Sequence, residues 1–222
     1  MSTELKVYRL AVCLYPNVTP LDYQGAMELL GGFSTDNQAR WGHLYKNRPP
    51  CAINPEYLSH TPEPVKPMVG PGLVPSMTYK EALELEDGKD FDIILVPGGP
   101  NSDPNKGPKA KHILTVCTGS WVLAGTGLLN GKRATTNKAS YRMIVEKTKD
   151  FNITWVPKAR WVVNDDKHIW TASGVTAGMD LALSFLTFFT NEAFAEEARG
   201  IIELSAHKDP NEDEFASFYG LV

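Results

Sequence analysis

The sequence predicts a single α/β domain with a mostly parallel sheet covered by helices on both faces. Two observations carry this. Strand-like segments such as 91–96 are continuous apolar runs, the pattern of strands buried on both sides. Amphipathic helical segments lie between them, as parallel neighbours require. A third observation sets the domain count. The 222 residues contain no linker, repeat or low-complexity stretch, and that length supports one sizeable core, so residues 1–222 read as one domain.

Taken in order, residues 7–14 form a buried first strand that ends at Tyr15-Pro16. After Pro20, residues 22–33 place Ala26, Leu29, Leu30 and Phe33 on a helical stripe, with Gly31-Gly32 near its end. Residues 48–75 carry eight prolines and read as an irregular connection with one short strand near Val65. A helical turn or two is expected over 79–85. Residues 91–96 are an apolar strand closed by Pro97-Gly98-Gly99-Pro100, residues 112–116 another strand, and 118–129 the helix after it. Short strands follow over 133–136, 153–156, 160–163 and 169–172, with a helix over 141–149. Two helices, over 175–189 and 193–204, close the fold. One stretch fits poorly: residues 100–111, with Pro100, Pro104 and Pro108, are too short and too rich in proline for an ordinary helical crossover. Either that connection is unusually stripped down or a segment is missing from it, and the second is expected.

Composition narrows the function. Hydrophobic content of 42% with 22% charged residues is that of a globular chain, so disorder is not expected. The net charge of −4 and the lack of a Lys/Arg cluster argue against nucleic acid as a partner. Lys6 and Arg9 interrupt the N-terminal apolar run, so it does not read as a signal peptide. The longest apolar run elsewhere, 181–189, contains Ser184 and Thr187 and falls far short of a membrane span. A soluble, cytoplasmic protein is expected, with no membrane partner.

The three cysteines, Cys13, Cys51 and Cys117, match no metal motif and cannot form a complete disulfide framework. Neither a metal nor a cofactor is expected. Cys13 lies in an apolar strand and Cys51 in a loop-like stretch. Only Cys117 has a context that points to chemistry. In Ile113-Leu-Thr-Val-Cys117-Thr-Gly-Ser-Trp121 an apolar strand runs straight into the cysteine, and a helix starts at once with the small pair Gly119-Ser120. That is the layout of a nucleophile elbow, in which a strained turn holds the reactive atom over the sheet edge. A helix N-terminus facing the thiol favours the thiolate. The plainer alternative is an inert buried cysteine at a strand end.

A nucleophile needs a proton partner and an anion site. In a parallel sheet the loops after the strands share one edge, which brings Asp22 and Gly98-Gly99 towards Cys117. The Gly98 and Gly99 amides, with that of Thr118, are the expected oxyanion donors. Asp22 has a plainer reading too, as a helix-capping residue. None of His43, His60, His112, His168 and His207 is placed to pair with the cysteine, so the proton work falls to Asp22. Two such acids in one small pocket hold a single proton between them, which raises the Asp22 pKa.

Five segments then carry a resemblance. They are Leu21-Asp-Tyr-Gln-Gly-Ala-Met-Glu28, Ile94-Leu-Val-Pro-Gly-Gly-Pro100, Thr115-Val-Cys-Thr-Gly-Ser120, Gly127-Leu-Leu-Asn-Gly-Lys-Arg-Ala-Thr-Thr136 and Ser173-Gly-Val-Thr-Ala-Gly-Met-Asp-Leu-Ala182. In this order they resemble the ThiJ/PfpI superfamily of DJ-one-like proteins, and within it the isonitrile hydratases and their fungal relatives. The resemblance implies a flavodoxin-like three-layer sandwich of the class I glutamine amidotransferase-like type. It implies Cys117 as nucleophile, Asp22 as its acid partner, Thr118 beside them, and a homodimer. Gly174 and Thr176 lie in a segment resembling a loop that borders the pocket, and are expected substrate contacts. The alternative there is a strand-to-helix turn permitted by glycine.

The departures bear on substrate. Asp22 stands where many members carry Glu, and Thr118 replaces the histidine of the protease-like branch, which argues against peptide hydrolysis. Asn137 replaces a His common in bacterial hydratase-like members, and Trp121 replaces a small aliphatic residue. The expected activity is cofactor-independent hydration of an isonitrile to an N-substituted formamide through a Cys117 thioimidate. The alternatives are glyoxalase-like conversion of a 2-oxoaldehyde, and a redox sensor or chaperone that works by Cys117 oxidation. The ligand-sensing half of a transcription regulator is disfavoured, because the sequence contains no helix-turn-helix domain.

Overall fold

The computed structural model describes residues 5–47, 49–86, 89–99 and 110–222. Strand β1 (Lys6–Cys13) leads into helix α1 (Pro20–Leu30), and α2 (Thr35–Trp41) follows before β2 (Cys51–Ser59). The chain continues through β3 (Met77–Thr78), α3 (Tyr79–Leu83), β4 (Ile93–Val96), β5 (His112–Thr115) and α4 (Gly119–Gly125). Then come β6 (Arg133–Ala134), α5 (Tyr141–Lys147), β7 (Thr154–Trp155), β8 (Trp161–Val163) and β9 (Ile169–Ala172). Helices α6 (Ala177–Phe189), α7 (Glu192–Ile201) and α8 (Glu214–Phe218) close the chain.

The main sheet has seven strands in the order β3-β2-β1-β4-β5-β9-β8, all neighbours parallel except the β8–β9 pair. Strands β6 and β7 form a separate parallel pair. Side chains alternate across the sheet as the pleat requires. Leu10, Val12, Leu95 and Leu114 pack with Leu29, Leu30, Leu181, Phe185 and Phe194 of α1, α6 and α7. Ala11, Cys13, Ile94 and Val96 face the other way, towards Tyr79, Ala82 and Val122 of α3 and α4. This is the expected doubly covered α/β sandwich.

From β1 the chain builds outward in one direction through β2 and β3, and in the other through β4 and β5. The strand order therefore reverses between β1 and β4, and a crevice opens beyond the carboxyl ends of those strands. The loops after β1, β4 and β5 all reach that crevice.

Several expected boundaries shift. Residues 48–75 contain a long strand, β2, paired with β1 along its length from Lys6↔Cys51 to Cys13↔Leu58. Val65, where a strand was expected, makes only an isolated bridge to Leu73. Prolines hide β2 because Pro55 lies within it. Since β3 covers only Leu58 and Ser59, Pro55 sits on an open edge, where a sheet tolerates proline. Cys51 is thus the buried first residue of a strand and not part of a loop. The helix expected over 118–129 stops at Gly125. There the Thr126 hydroxyl turns back to Leu123 O at 2.7 Å, and Gly127 takes a φ of 79°. Helices α2 and α8 were not anticipated. The connection expected over 100–111 lies, from 100 to 109, outside the described residues.

Candidate active site

The turn between β5 and α4 carries Cys117 with φ 59°, a left-handed conformation uncommon for a residue with a side chain. Three hydrogen bonds hold it there. The Cys117 amide donates to Ser173 O at 2.9 Å, and the Cys117 carbonyl accepts from Ser120 Oγ and from Thr136 Oγ1, each at 3.0 Å. Gly119 makes the turn possible: a Cβ there would overlap the Val96 carbonyl oxygen, so only glycine lets the start of α4 pass the end of β4. The sequence reading of an elbow thus has a matching geometry, with Cys117 buried (8% exposed).

Asp22 lies in the first turn of α1 and is fully buried. It does not cap that helix. Thr19 occupies the cap position, and Asp22 Oδ2 instead accepts from the Gly98 amide at 2.8 Å, across the sheet edge. Its other oxygen, Oδ1, accepts no hydrogen bond from the described residues. The Cys117 thiol faces the same carboxylate.

Burial pushes the Asp22 carboxyl up to about 6, although the Gly98 amide and the thiol pull it the other way. Burial also pushes the Cys117 thiol up to about 12, and the Asp22 charge adds to this. The amides of Thr118 and Val175 both donate to the sulfur and favour its anion, yet they do not outweigh burial. The amide at the start of α4 thus acts on Cys117 in the direction the sequence reading expects, and burial opposes it. Both groups are thus pushed towards their protonated forms, by burial first and for the thiol by the neighbouring carboxylate as well, so the two titrate as a pair.

Gly98 and Gly99 were expected to offer their amides to a developing anion. In the structure both amides are already engaged: Gly98 N donates to Asp22, and Gly99 N donates to Thr118 Oγ1 at 2.9 Å. Their role here is to position the acid and Thr118. The amides that act on the sulfur are those of Thr118, expected instead as an oxyanion donor, and of Val175, which the sequence reading did not single out. Val175 has φ 39°, a strained value for a β-branched residue. Gly174 and Thr176 flank it. Gly174 passes close to Asn137, where an added Cβ would stand 3.3 Å from Asn137 Cβ. Thr176 is exposed, and its Oγ1 accepts from Arg160 at 3.3 Å.

Behind this loop lies a buried ionic cluster. Arg160 Nε donates to Asp180 Oδ2 at 2.7 Å, Arg160 also faces Asp213 at 3.8 Å, and Asp213 faces Lys138 at 3.5 Å. Two of the histidines take structural places. His112 packs against Phe185, Phe188 and Phe189 and shares a hydrogen bond with Lys167 O, while His168 does so with Lys111 O. Among the described residues no group of three or more His, Cys, Asp or Glu side chains is placed to hold a metal ion, and no helix is long and apolar enough to cross a membrane.

A strained cysteine elbow at the switch point of a parallel sheet, with a buried carboxylate facing the sulfur, defines a class of α/β proteins. The sequence pattern of the DJ-1/PfpI family matches residues 51–187, and the chain belongs to that family. It is 34% identical over 133 residues to the isonitrile hydratase of Pseudomonas putida, a match covering 54% of this chain and 53% of the relative. The chain thus matches about half the length of that relative. Among solved structures, a ThiJ/PfpI family protein from Pseudomonas syringae superposes with a TM-score of 0.71 at 24% identity, over 92% of this chain and 78% of the other. Drosophila melanogaster DJ-1beta superposes with a TM-score of 0.66 at 17% identity, over 90% of this chain and 99% of the other. These likenesses bear out the flavodoxin-like fold.

Proposed function

We propose that the protein is a cysteine-dependent enzyme that hydrates a small electrophile, with an isonitrile as the substrate that best fits its parts. The supporting observation is the Asp22–Cys117 pair: one buried carboxylate, raised to about 6, faces a thiol that no histidine accompanies. The partial identity to an isonitrile hydratase points to the same substrate class.

The chemistry needs one group that both takes and returns protons. Asp22 accepts the Cys117 S–H proton as sulfur bonds to the isonitrile carbon, and delivers it to that carbon to give a thioimidate, R–N=CH–S. Water then adds to the same carbon, with Asp22 taking its proton and passing it to nitrogen. Asp22 takes the hydroxyl proton as the R–NH–CH(OH)–S adduct collapses and the C–S bond breaks, expelling R–NH–CHO, and returns that proton to sulfur to restore the thiol. The sum is R–NC plus water giving the formamide. The Thr118 and Val175 amides stabilise the sulfur anion at attack and at departure. Thr118, through Gly99, fixes the loop that carries the Gly98 amide to Asp22.

The deciding experiment is turnover of the purified protein with a set of isonitriles and with methylglyoxal, together with mass spectrometry of Cys117 adducts. Formamide production supports the reading. Lactate from methylglyoxal in its absence would replace it with the glyoxalase-like alternative. Peroxide-dependent mass gain without turnover of either would select the sensor. A homodimer belongs to the same proposal, and light scattering at micromolar concentration tests it.

A further inference from the structure

We infer that Tyr15 is a positioning residue for the Asp22 carboxylate, acting through the single peptide group that joins Pro97 to Gly98. The inference rests on the reading of Asp22 as the acid–base partner of Cys117. The Tyr15 hydroxyl, buried just past the end of β1, donates to Pro97 O at 2.8 Å. The N–H on the far side of that same peptide belongs to Gly98 and donates to Asp22 Oδ2 at 2.8 Å.

In a planar trans peptide the carbonyl and the N–H point in opposite directions, so a partner that fixes one end aims the other. Gly98, with no side chain, offers little resistance to rotation of this peptide by itself. Tyr15 supplies the missing restraint. Donation into the carbonyl also polarises the amide and makes its N–H a stronger donor, so the effect on Asp22 is electrostatic as well as geometric. Ring packing alone would not require the hydroxyl.

Few other groups compete for this effect. Among the described residues, the titratable groups coupled to Asp22 from neighbouring segments are Tyr15, beyond β1, and Cys117, from the β5–α4 turn. The loop after β4 presents the uncharged Gly98 amide, and α6, packed on α1, presents Met179 to Gly25. Loss of the Tyr15 hydroxyl is therefore read at Asp22 without another charge of the described residues intervening.

The test needs no substrate. The rate of Cys117 alkylation by iodoacetamide, located by mass spectrometry, is followed from pH 5 to pH 9 for the wild type, Tyr15→Phe, Asp22→Asn and the double variant. Wild type shows an inflection as the pair loses its first proton, and Asp22→Asn lacks it. Tyr15→Phe moves the inflection upward by about half to one pH unit, the shift expected when the Gly98 donor to the ionised carboxylate is weakened and not removed. It has no effect of this kind in the Asp22→Asn background. Tyr15→3-fluorotyrosine, with a more acidic and stronger donor, moves it downward and serves if the Phe variant does not fold. An unmoved inflection in both Tyr15 variants, or the same shift in the Asp22→Asn background, overturns the inference. Failure of isonitrile turnover with the inflection moving as described overturns the proposed function and leaves the Tyr15 assignment standing.

Discussion

The Gly98 amide donates to Asp22 Oδ2 at 2.8 Å, and a Cβ built on Gly98 would stand 2.8 Å from that same oxygen and 2.7 Å from Thr118 N. The hydrogen bond and the missing side chain are two parts of one arrangement. Backbone and carboxylate approach each other only because no methyl group intervenes.

Gly98→Ala is accordingly expected to damage both stability and chemistry. The new methyl meets backbone at Thr118 and cannot be accommodated by rotating a flexible side chain. Overpacking of this kind costs about 1–3 kcal/mol, which lowers the Tm by several degrees, and turnover falls at least about tenfold as the amide leaves Asp22. Gly42→Ala is the control, since nothing lies within 4 Å of a Cβ there and the φ is −55°. Thermal melts and steady-state rates on the two variants check this, and equal behaviour would refute the packing argument.

Cys117→Ser is expected to abolish turnover with little change in the melting curve, because the elbow is held by the Cys117 backbone and not by its sulfur. Cys13→Ala and Cys51→Ala lie in the sheet, with thiols that burial pushes up to about 12 and about 11, and should keep their activity. Substantial turnover by Cys117→Ser would remove covalent catalysis from the scheme.

The cluster behind the Val175 loop predicts a large stability effect with a polar cause. Arg160 and Asp180 are 5% and 3% exposed, so Asp180→Ala leaves a guanidinium buried without its nearest partner. Breaking such a pair costs about 3–5 kcal/mol. The exposed Lys80–Glu84 pair, 83% and 64% accessible at 4.0 Å, should be removable without measurable loss. Urea midpoints for Asp180→Ala and Glu84→Ala separate the two cases, and similar midpoints would count against the cluster.

What the sequence disclosed and what it hid follow from the reach of each interaction. Cys117 was legible because strand, nucleophile, small pair and helix are consecutive. Asp22 was legible only through topology, since its partner Gly98 is 76 positions away. Val175 and Tyr15 left no signal, because one acts through its backbone amide and the other through a peptide it touches only after folding. The Gly98 and Gly99 amides were assigned to substrate because a sequence does not show which donors are already spent within the protein. Strand β2 was lost to the prolines in and before it, and Pro55, the one inside it, is tolerated on an open edge that only the sheet order reveals.

Asp22→Asn should weaken the enzyme and strengthen the protein, with the second effect dependent on pH. The folded protein holds the Asp22 carboxyl at about 6, against an ordinary 3.8. A raised acid binds its proton more tightly when folded, so the stability it contributes is fully present below about pH 3.8 and is lost as pH rises through about 6. A shift of this size corresponds to about 3 kcal/mol of burial cost at pH 8. Asparagine keeps an acceptor for Gly98 and carries no charge to bury. The variant should therefore melt higher than wild type at pH 8, and the advantage should vanish by about pH 4. It also moves no protons, so turnover falls by about 10²–10⁴-fold. A capping role for Asp22 would give neither result, since Asn and Asp cap helices equally well. Melting curves from pH 4 to pH 8, with rates at pH 8, decide the matter: normal turnover with a pH-independent stability difference would take Asp22 out of the mechanism.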